Sequence, residues 1–289
     1  MSRRSEPVTV TTAREQVGSV DDATWQLPEG EVHELRPRRT KYCICIPVLN
    51  EGDRIRSQLR AMRQLDVPAD IIIADGASDD GSMDEAFLRD QGVTTLLIKR
   101  GPGGQSAQLR MGFAYALRQG YEGVVQIDGN NKDGVEAITR FLEALESGID
   151  YTQGNRFMAG GRETNTPVVR LWAIRLIHAP LVSLAARRRL HDTTNGFRAY
   201  SRRYLLHPRV QPFRDVFMTY ELNWYLSARA SQVGLAVTEI PVTRSYPRLG
   251  AVPTKISPVR GSLRMLWGVV LLLTGKLHPP AQRSGGPRA

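Results

Sequence analysis

Acidic and amide side chains follow three short apolar runs in the first half of the chain. Asn50-Glu51 follows Tyr42–Val48, Asp75 follows Ile71–Ala74, and Asp128-Gly-Asn130 follows Gly123–Ile127. Carboxylates and amides of this kind suit ribose hydroxyls, the N–H groups of a base, or a hard cation that takes oxygen ligands. A single acidic residue in such a place is ordinarily a helix cap, and Asp79 or Asp80 is read that way. Three at consecutive apolar runs are harder to explain by capping. Gly101-Pro-Gly-Gly104, ahead of a helix that starts at Gln105, offers backbone N–H groups for a phosphate, although a plain turn has the same sequence.

These residues need a scaffold that brings them to one edge. Runs with strand character (42–48, 71–74, 93–98, 123–127, 150–153) alternate with segments of helical spacing (51–65, 79–91, 105–119, 135–146). That alternation predicts an α/β fold with a mainly parallel central sheet and helices on both faces. Ligands of such sheets bind outside the carboxyl ends of the strands, where the three clusters fall. The second half reads as a long helix over 167–189, a strand-like piece at 195–200, a helix over 218–233, a strand over 235–242 and a last helix over 259–276. Residues 1–40 read as a flexible leader with a short ordered piece near Trp25–Leu27. The catalytic domain is expected over 41–257, a C-terminal apolar or amphipathic helix over 258–278, and a disordered tail over 279–289.

Composition narrows the class. The chain has 289 residues, 41% hydrophobic and 24% charged, which is ordinary for a globular protein. No 18-residue apolar run is present, and no apolar stretch follows Arg3-Arg4, so neither a membrane span nor a secretory signal is expected and the location is read as cytoplasmic. Cys43 and Cys45 lie one residue apart in a strand, poor geometry for a disulfide, and read as buried thiols. The net charge of +10 is concentrated after Glu239, where eight Lys and Arg residues occur and no acidic one. Such a tail favours an anionic partner, a pyrophosphate or a lipid surface. Nucleic acid is not expected, because no recognition motif or interleaving of aromatic and basic residues accompanies the charge. The run Met265–Leu273, flanked by Arg260, Arg264 and Lys276, suits either packing on the core or peripheral contact with the inner face of a membrane. Dinucleotide, P-loop, hydrolase-elbow and zinc-helix motifs are absent. Asp128–Gly134 fails as a calcium loop, with its glycine one place late and Thr139 at position twelve.

The ordered motifs Ile46-Pro-Val-Leu-Asn-Glu51, Ala74-Asp-Gly-Ala-Ser-Asp-Asp-Gly-Ser82, Ile127-Asp-Gly-Asn130 and Gln105–Gly112 resemble those of the inverting family 2 glycosyltransferases. Thr194–Tyr200 and Glu239–Val242 resemble acceptor-side motifs of the dolichyl- or polyprenyl-phosphate sugar synthase branch. The resemblance spans roughly 41–257 and implies a GT-A fold and a nucleotide-diphosphate sugar donor, with UDP the expected nucleotide. It implies that Pro47, Asn50, Glu51 and Asp75 frame the nucleoside beside Gly104 and Gln105. Asp128 and Asn130 then hold a divalent cation (Mg or Mn), Arg198 approaches the sugar or diphosphate, and Arg244 and Lys255 close over phosphates. Asn130 stands where the family has a second aspartate, and Lys132 where its lipid branch often has a glutamine. Both changes weaken a divalent-cation site, and Lys132 becomes a candidate counter-charge for the leaving diphosphate. Asp133 remains a candidate to restore a ligand.

A hydroxyl acceptor requires a carboxylate base, for which Glu221, then Asp192, are the candidates, with Asp215 behind them; a phosphate acceptor requires none. Transfer to a hydroxyl of a small molecule or glycan is the first expectation, and transfer to a polyprenyl phosphate at the membrane face the second. A non-catalytic nucleotide-sugar binding protein is the third.

Overall fold

The apolar runs do build the centre of the sheet. In the computed structural model, which describes residues 20–246 and 260–280, the strands are β1 (Gly30–Glu34), β2 (Tyr42–Val48), β3 (Asp70–Asp75), β4 (Val93–Lys99), β5 (Gly123–Gln126), β6 (Tyr151–Asn155), β7 (Arg162–Thr164), β8 (Arg198–Ser201), β9 (Val237–Pro241) and β10 (Thr243–Ser245). Eight of them form one sheet in the order β1-β4-β3-β2-β5-β8-β6-β9, and β7 and β10 pair apart from it, in parallel. The sheet is mainly parallel, as expected: four of its seven strand pairings are parallel, that of β6 with β9 among them. β2, β3, β4 and β5 run parallel, but β8 lies antiparallel between β5 and β6, and β1 is antiparallel to β4.

The helices are α1 (Asp53–Gln64), α2 (Glu85–Asp90), α3 (Gln105–Arg118), α4 (Ile138–Glu146), α5 (Val168–Ala173), α6 (Ala179–Ala186), α7 (Arg202–Leu205), α8 (Glu221–Gln232) and α9 (Arg260–Leu273), with a π-helical stretch at Ile174–His178 between α5 and α6. Alternation along β2 splits the core in two. Cys43 and Cys45 face α3 through Phe113 and Leu117, while Ile44, Ile46 and Val48 face α1 and α4 through Ile55, Leu59 and Phe141. Each of these side chains contributes roughly 1.5–3 kcal/mol by leaving water. Helix α3 lies so close to the sheet that a Cβ on Gly112 would come within 2.5 Å of Cys45 Sγ. Both cysteines are free and buried, and burial raises both thiols, that of Cys45 to about 12.

Part of the expected leader belongs to the fold. β1 pairs along the whole of β4, and Trp25 stacks on Phe213 with ring centroids 4.0 Å apart. β1 escaped notice because Gly-Glu-Val-His-Glu is short, polar and mostly exposed, as edge strands are. The cap expected at Asp79 or Asp80 is Asp84, whose carboxylate accepts from Phe87 N at 2.8 Å, so α2 starts later than the spacing suggests. Helix α9 takes the core-packing alternative on one side: Val269 and Leu272 are buried, and Gly268 lets the helix meet the Trp224 ring of α8. Residues 1–19, 247–259 and 281–289, which include Lys255, lie outside the described residues.

Candidate active site

The three polar clusters meet at the carboxyl edge of β2, β3 and β5. Pro47 is buried in β2, one residue before its end. The turn that follows is locked to the β3 loop: Ser78 Oγ accepts from Asn50 N at 2.9 Å, and Asn50 Oδ1 accepts from Asp79 N at 2.9 Å. Asn50 adopts φ 48°, a left-handed conformation that asparagine tolerates better than most residues. Asp75 is buried and accepts from Ser78 N and Oγ at 2.8 and 2.5 Å. Glu51 pairs with Arg54 at 2.7 Å. Beside Asp75 opens a cavity of about 530 Å³ lined by Ser78, Asp79, Leu96, Ile98 and Arg100 among others. Gln108 fixes this edge by donating to both Val48 O and Ala74 O, at 2.6 and 2.8 Å.

Asp128 sits at the centre of a second network. Its Oδ1 accepts from Gln105 Nε2 at 3.0 Å, and its Oδ2 lies 3.5 Å from Arg244 Nη2. Gln105 Oε1 in turn accepts from Asn223 Nδ2 of α8 at 3.3 Å. The Asp128 carboxylate lies over Gly196, where any Cβ would come within 2.4 Å of it. Arg244 is buried and also donates to Asp133, itself buried, across a single β-bridge between the two residues. Burial opposes the charge on Arg244, but the Asp133 and Asp128 carboxylates outweigh it and hold the guanidinium well above its ordinary range. Lys132 is buried with its Nζ 5.1 Å from the centroid of the Tyr246 ring, which the Arg244 guanidinium also approaches, at 5.8 Å.

This donor set does not fit a divalent cation as it stands. Asp128 is engaged by an amide and a guanidinium, Asn130 Oδ1 accepts from Lys132 N at 3.3 Å, and Asp133 pairs with Arg244 through Oδ2, its buried Oδ1 alone accepting no hydrogen bond. Among the described residues no group of three His, Cys, Asp or Glu side chains comes together for a metal. The expected Asp128–Asn130 pair is thus one carboxylate and one amide, with fixed cations beside them.

Several side chains lie elsewhere than the sequence suggested. Arg198 does not reach the rim. It is fully buried and donates to the carbonyls of Asn195, Thr193 and Asn223, so it organises the loop beneath the site. The Gly101–Gly104 turn has two of its three N–H donors engaged: Gly101 N donates to Glu29 O and Gly104 N to Met218 O, which leaves neither of these for a phosphate. Asp192 is not exposed to a substrate. It is fully buried in a two-point pair with Arg156, at 2.7 and 2.9 Å. Glu221 opens α8 near the rim, but both its oxygens accept from Thr219, at 2.6 Å from the amide and 2.5 Å from the hydroxyl. Asp215, the weakest base candidate, is exposed and takes Gln26 Oε1 on its amide.

Sequence reasoning missed Arg156, Asn223, Gly196 and His178. Arg156 follows β6 at the same edge, and its Nη1 has no partner although buried. The polar composition of β6 itself, Tyr-Thr-Gln-Gly-Asn, gave no apolar run whose end would have marked Arg156. His178 closes the π-helical stretch, bonded to Thr193 Oγ1 at 2.7 Å and edge-on to the Trp224 ring. Burial, aided by Arg198, lowers its pKa from 6.5 to about 4. An unfolded chain binds this proton more readily, so the stability it contributes is complete above pH 6.5 and is lost as pH falls towards 4. Denaturant melts from pH 7 to pH 4 should show a loss from this residue on the order of 3 kcal/mol, with a shallower slope in His178→Gln.

Comparison with known proteins agrees with this geometry. The family model described as Glycosyl transferase family 2 matches residues 43–207. The chain is 27% identical over 271 residues to a polyprenol monophosphomannose synthase of Mycolicibacterium smegmatis, covering 91% of this chain and 96% of that protein. It is 29% identical over 213 residues to an undecaprenyl-phosphate mannosyltransferase of Micrococcus luteus, covering 71% and 84%. A glucosyl-3-phosphoglycerate synthase of Mycobacterium tuberculosis, solved with Mn2+, UDP and glucosyl-3-phosphoglycerate, superposes with a TM-score of 0.59 at 18% identity, over 84% of this chain and 82% of that one, and shares its fold. The chain belongs to glycosyl transferase family 2: it is a GT-A glycosyltransferase whose sequence similarity lies in the polyprenyl-phosphate sugar branch.

Proposed function

We propose that this enzyme transfers a hexose, mannose in the first instance, from a nucleotide-diphosphate donor to the phosphate of a polyprenyl phosphate. This is the second of the two acceptors expected from sequence, and the activities of the two mannosyl relatives favour it over a hydroxyl acceptor. The observation that carries it is the state of the carboxylates. Asp192 is locked to Arg156 and Glu221 to Thr219, so neither is placed to deprotonate a hydroxyl. An ionised phosphate needs no base.

In this reading the nucleoside occupies the cavity beside Asp75, held by the Pro47, Asn50 and Glu51 turn. An acceptor phosphate oxygen attacks the anomeric carbon from the face opposite the diphosphate. The bond from that carbon to the diphosphate oxygen breaks, configuration inverts, and the nucleotide diphosphate leaves with the electron pair. Arg244 and Lys132 stabilise the charge that develops on the leaving group, and Asp128, oriented by Gln105 and packed over Gly196, keeps Arg244 aimed at it.

Chelation is the prediction that follows. With Arg244 and Lys132 as fixed counter-charges, EDTA should lower kcat by less than about threefold. A loss of a hundredfold or more, restored by Mn2+ or Mg2+, would return the counter-charge to a metal. The reaction itself is tested with radiolabelled nucleotide-diphosphate mannose and purified protein. Label should pass into organic solvent only when polyprenyl phosphate is supplied. Label that enters water-soluble products whether or not lipid is present would favour the hydroxyl acceptor.

A further inference from the structure

The cavity beside Asp75 is walled on one side by a strand to which the reaction above gives no role. β1 lies ahead of residues 43–207, the part of the chain that the family model matches. Its register against β4 sets Glu31 opposite Ile98 and His33 opposite Leu96. Residues directly opposite in an antiparallel pair project to the same face. Glu31 and His33 therefore stand on the face where Leu96 and Ile98 line the cavity.

Each of the two reaches a charged group on the cavity rim. The Glu31 carboxylate accepts from Arg100 Nε at 2.8 Å and from Arg100 Nη2 at 3.1 Å. His33 Nδ1 lies 2.7 Å from Glu85 Oε1, and its Nε2 lies 3.5 Å from Glu31 Oε2, so the two pairs join in one chain. Arg100 and Glu85 line the cavity, whereas Glu31 and His33 stand behind them. The main chain adds to the hold: Arg100 N and Gly101 N both donate to Glu29 O, at 2.8 and 2.9 Å.

Energetics argue against a merely structural purpose. Glu31 and Arg100 are both about half exposed, and exposed ion pairs contribute little to stability. What a two-point pair fixes is direction. It leaves Arg100 Nη1 and the second Nη2 proton for a ligand. Leu96 and Ile98 offer an apolar bed for a flat ring, and Arg100 and Glu85 set a donor and an acceptor at its edge. A base that carries a carbonyl beside an N–H group, as guanine and uracil both do, matches such an edge.

We propose that β1 is the outer wall of the donor site, with Glu31 and His33 as positioning residues that aim Arg100 and Glu85 at the base of the donor nucleotide. The inference rests on the reading that the nucleoside occupies this cavity.

The test is titration calorimetry of the full chain with GDP and with UDP, beside steady-state kinetics with the sugar donor of the tighter-binding nucleotide. Glu31→Ala and Arg100→Ala should each weaken that nucleotide about tenfold, the size of one lost charge-assisted hydrogen bond. In Glu31→Ala the change should fall on the KM for the donor, with kcat and the KM for polyprenyl phosphate unmoved. His33→Ala should weaken the nucleotide about threefold, the smaller loss expected of a neutral hydrogen bond. Melting temperatures should stay within about 3 °C of wild type. The exchanged pair, Glu31→Arg with Arg100→Glu, restores the link between β1 and β4 but takes the positive charge off the rim, so its affinity should remain low. Recovery of affinity in the exchanged pair would overturn the proposal and leave Glu31 a strand-to-strand tie. So would wild-type affinity in Glu31→Ala or Arg100→Ala while Asp75→Asn weakens binding, an outcome that keeps the nucleoside in the cavity. Asp75→Asn protein that binds both nucleotides as wild type does would overturn the reading of the cavity, and the inference with it.

Discussion

Arg244→Ala should lower kcat by about 10²–10³, the usual cost of removing one group that stabilises charge in a transition state. The same change should destabilise the fold by about 3–5 kcal/mol, because it strands the buried Asp133 carboxylate. The two effects can be separated. Asp133→Asn combined with Arg244→Met removes both charges from the buried pair and should recover most of the lost melting temperature without recovering turnover. Arg244→Lys keeps a charge but loses the fork that spans Asp128 and Asp133, so its kcat should fall between the two. Steady-state kinetics beside thermal melts decide the matter. Recovery of turnover in the doubly neutral variant would remove Arg244 from catalysis and leave it a structural ion.

Asp192→Ala is the largest expected stability loss elsewhere. It leaves the Arg156 guanidinium, almost wholly buried, without its two-point partner, at a cost of about 3–5 kcal/mol. At about 2–4 °C for each kcal/mol, the melting temperature should drop by roughly 10 °C. A catalytic base behaves differently. Asp192→Asn would then melt like wild type and lose turnover, and the acidic limb of its pH–rate profile would vanish. The buried pair predicts the reverse: a clear loss of stability, and an unaltered pH dependence in the protein that remains folded.

Much of this site was legible in the sequence because strand ends and motif order report position. The runs 42–48, 71–74 and 123–127 became neighbouring strands β2, β3 and β5, so Asn50, Asp75 and Asp128 do share an edge. Partnership was not legible. Nothing around Asp192 announces that Arg156, 36 residues earlier, will take both its oxygens. The resemblance put Arg198 near phosphate, yet two carbonyls of its own preceding loop and one from α8 absorb its donors. Direction was also hidden: β8 carries an expected strand-like motif, but only the packed fold sets it antiparallel between β5 and β6. The helix over 167–189 was foreseen in extent, whereas its outward apolar stripe became visible only once α6, α8 and α9 had packed together and left it uncovered.

The most direct test of the central claim compares initial rates for polyprenyl phosphate and for the polyprenol of the same length, with one nucleotide sugar, from pH 6 to pH 9. An enzyme that relies on an ionised acceptor and fixed guanidinium counter-charge should glycosylate the phosphate, at a rate that levels off once the phosphate is fully ionised, and should leave the alcohol untouched. Transfer to the alcohol at a comparable rate, rising with the ionisation of a protein carboxylate, would contradict the account and put a catalytic base back into the site.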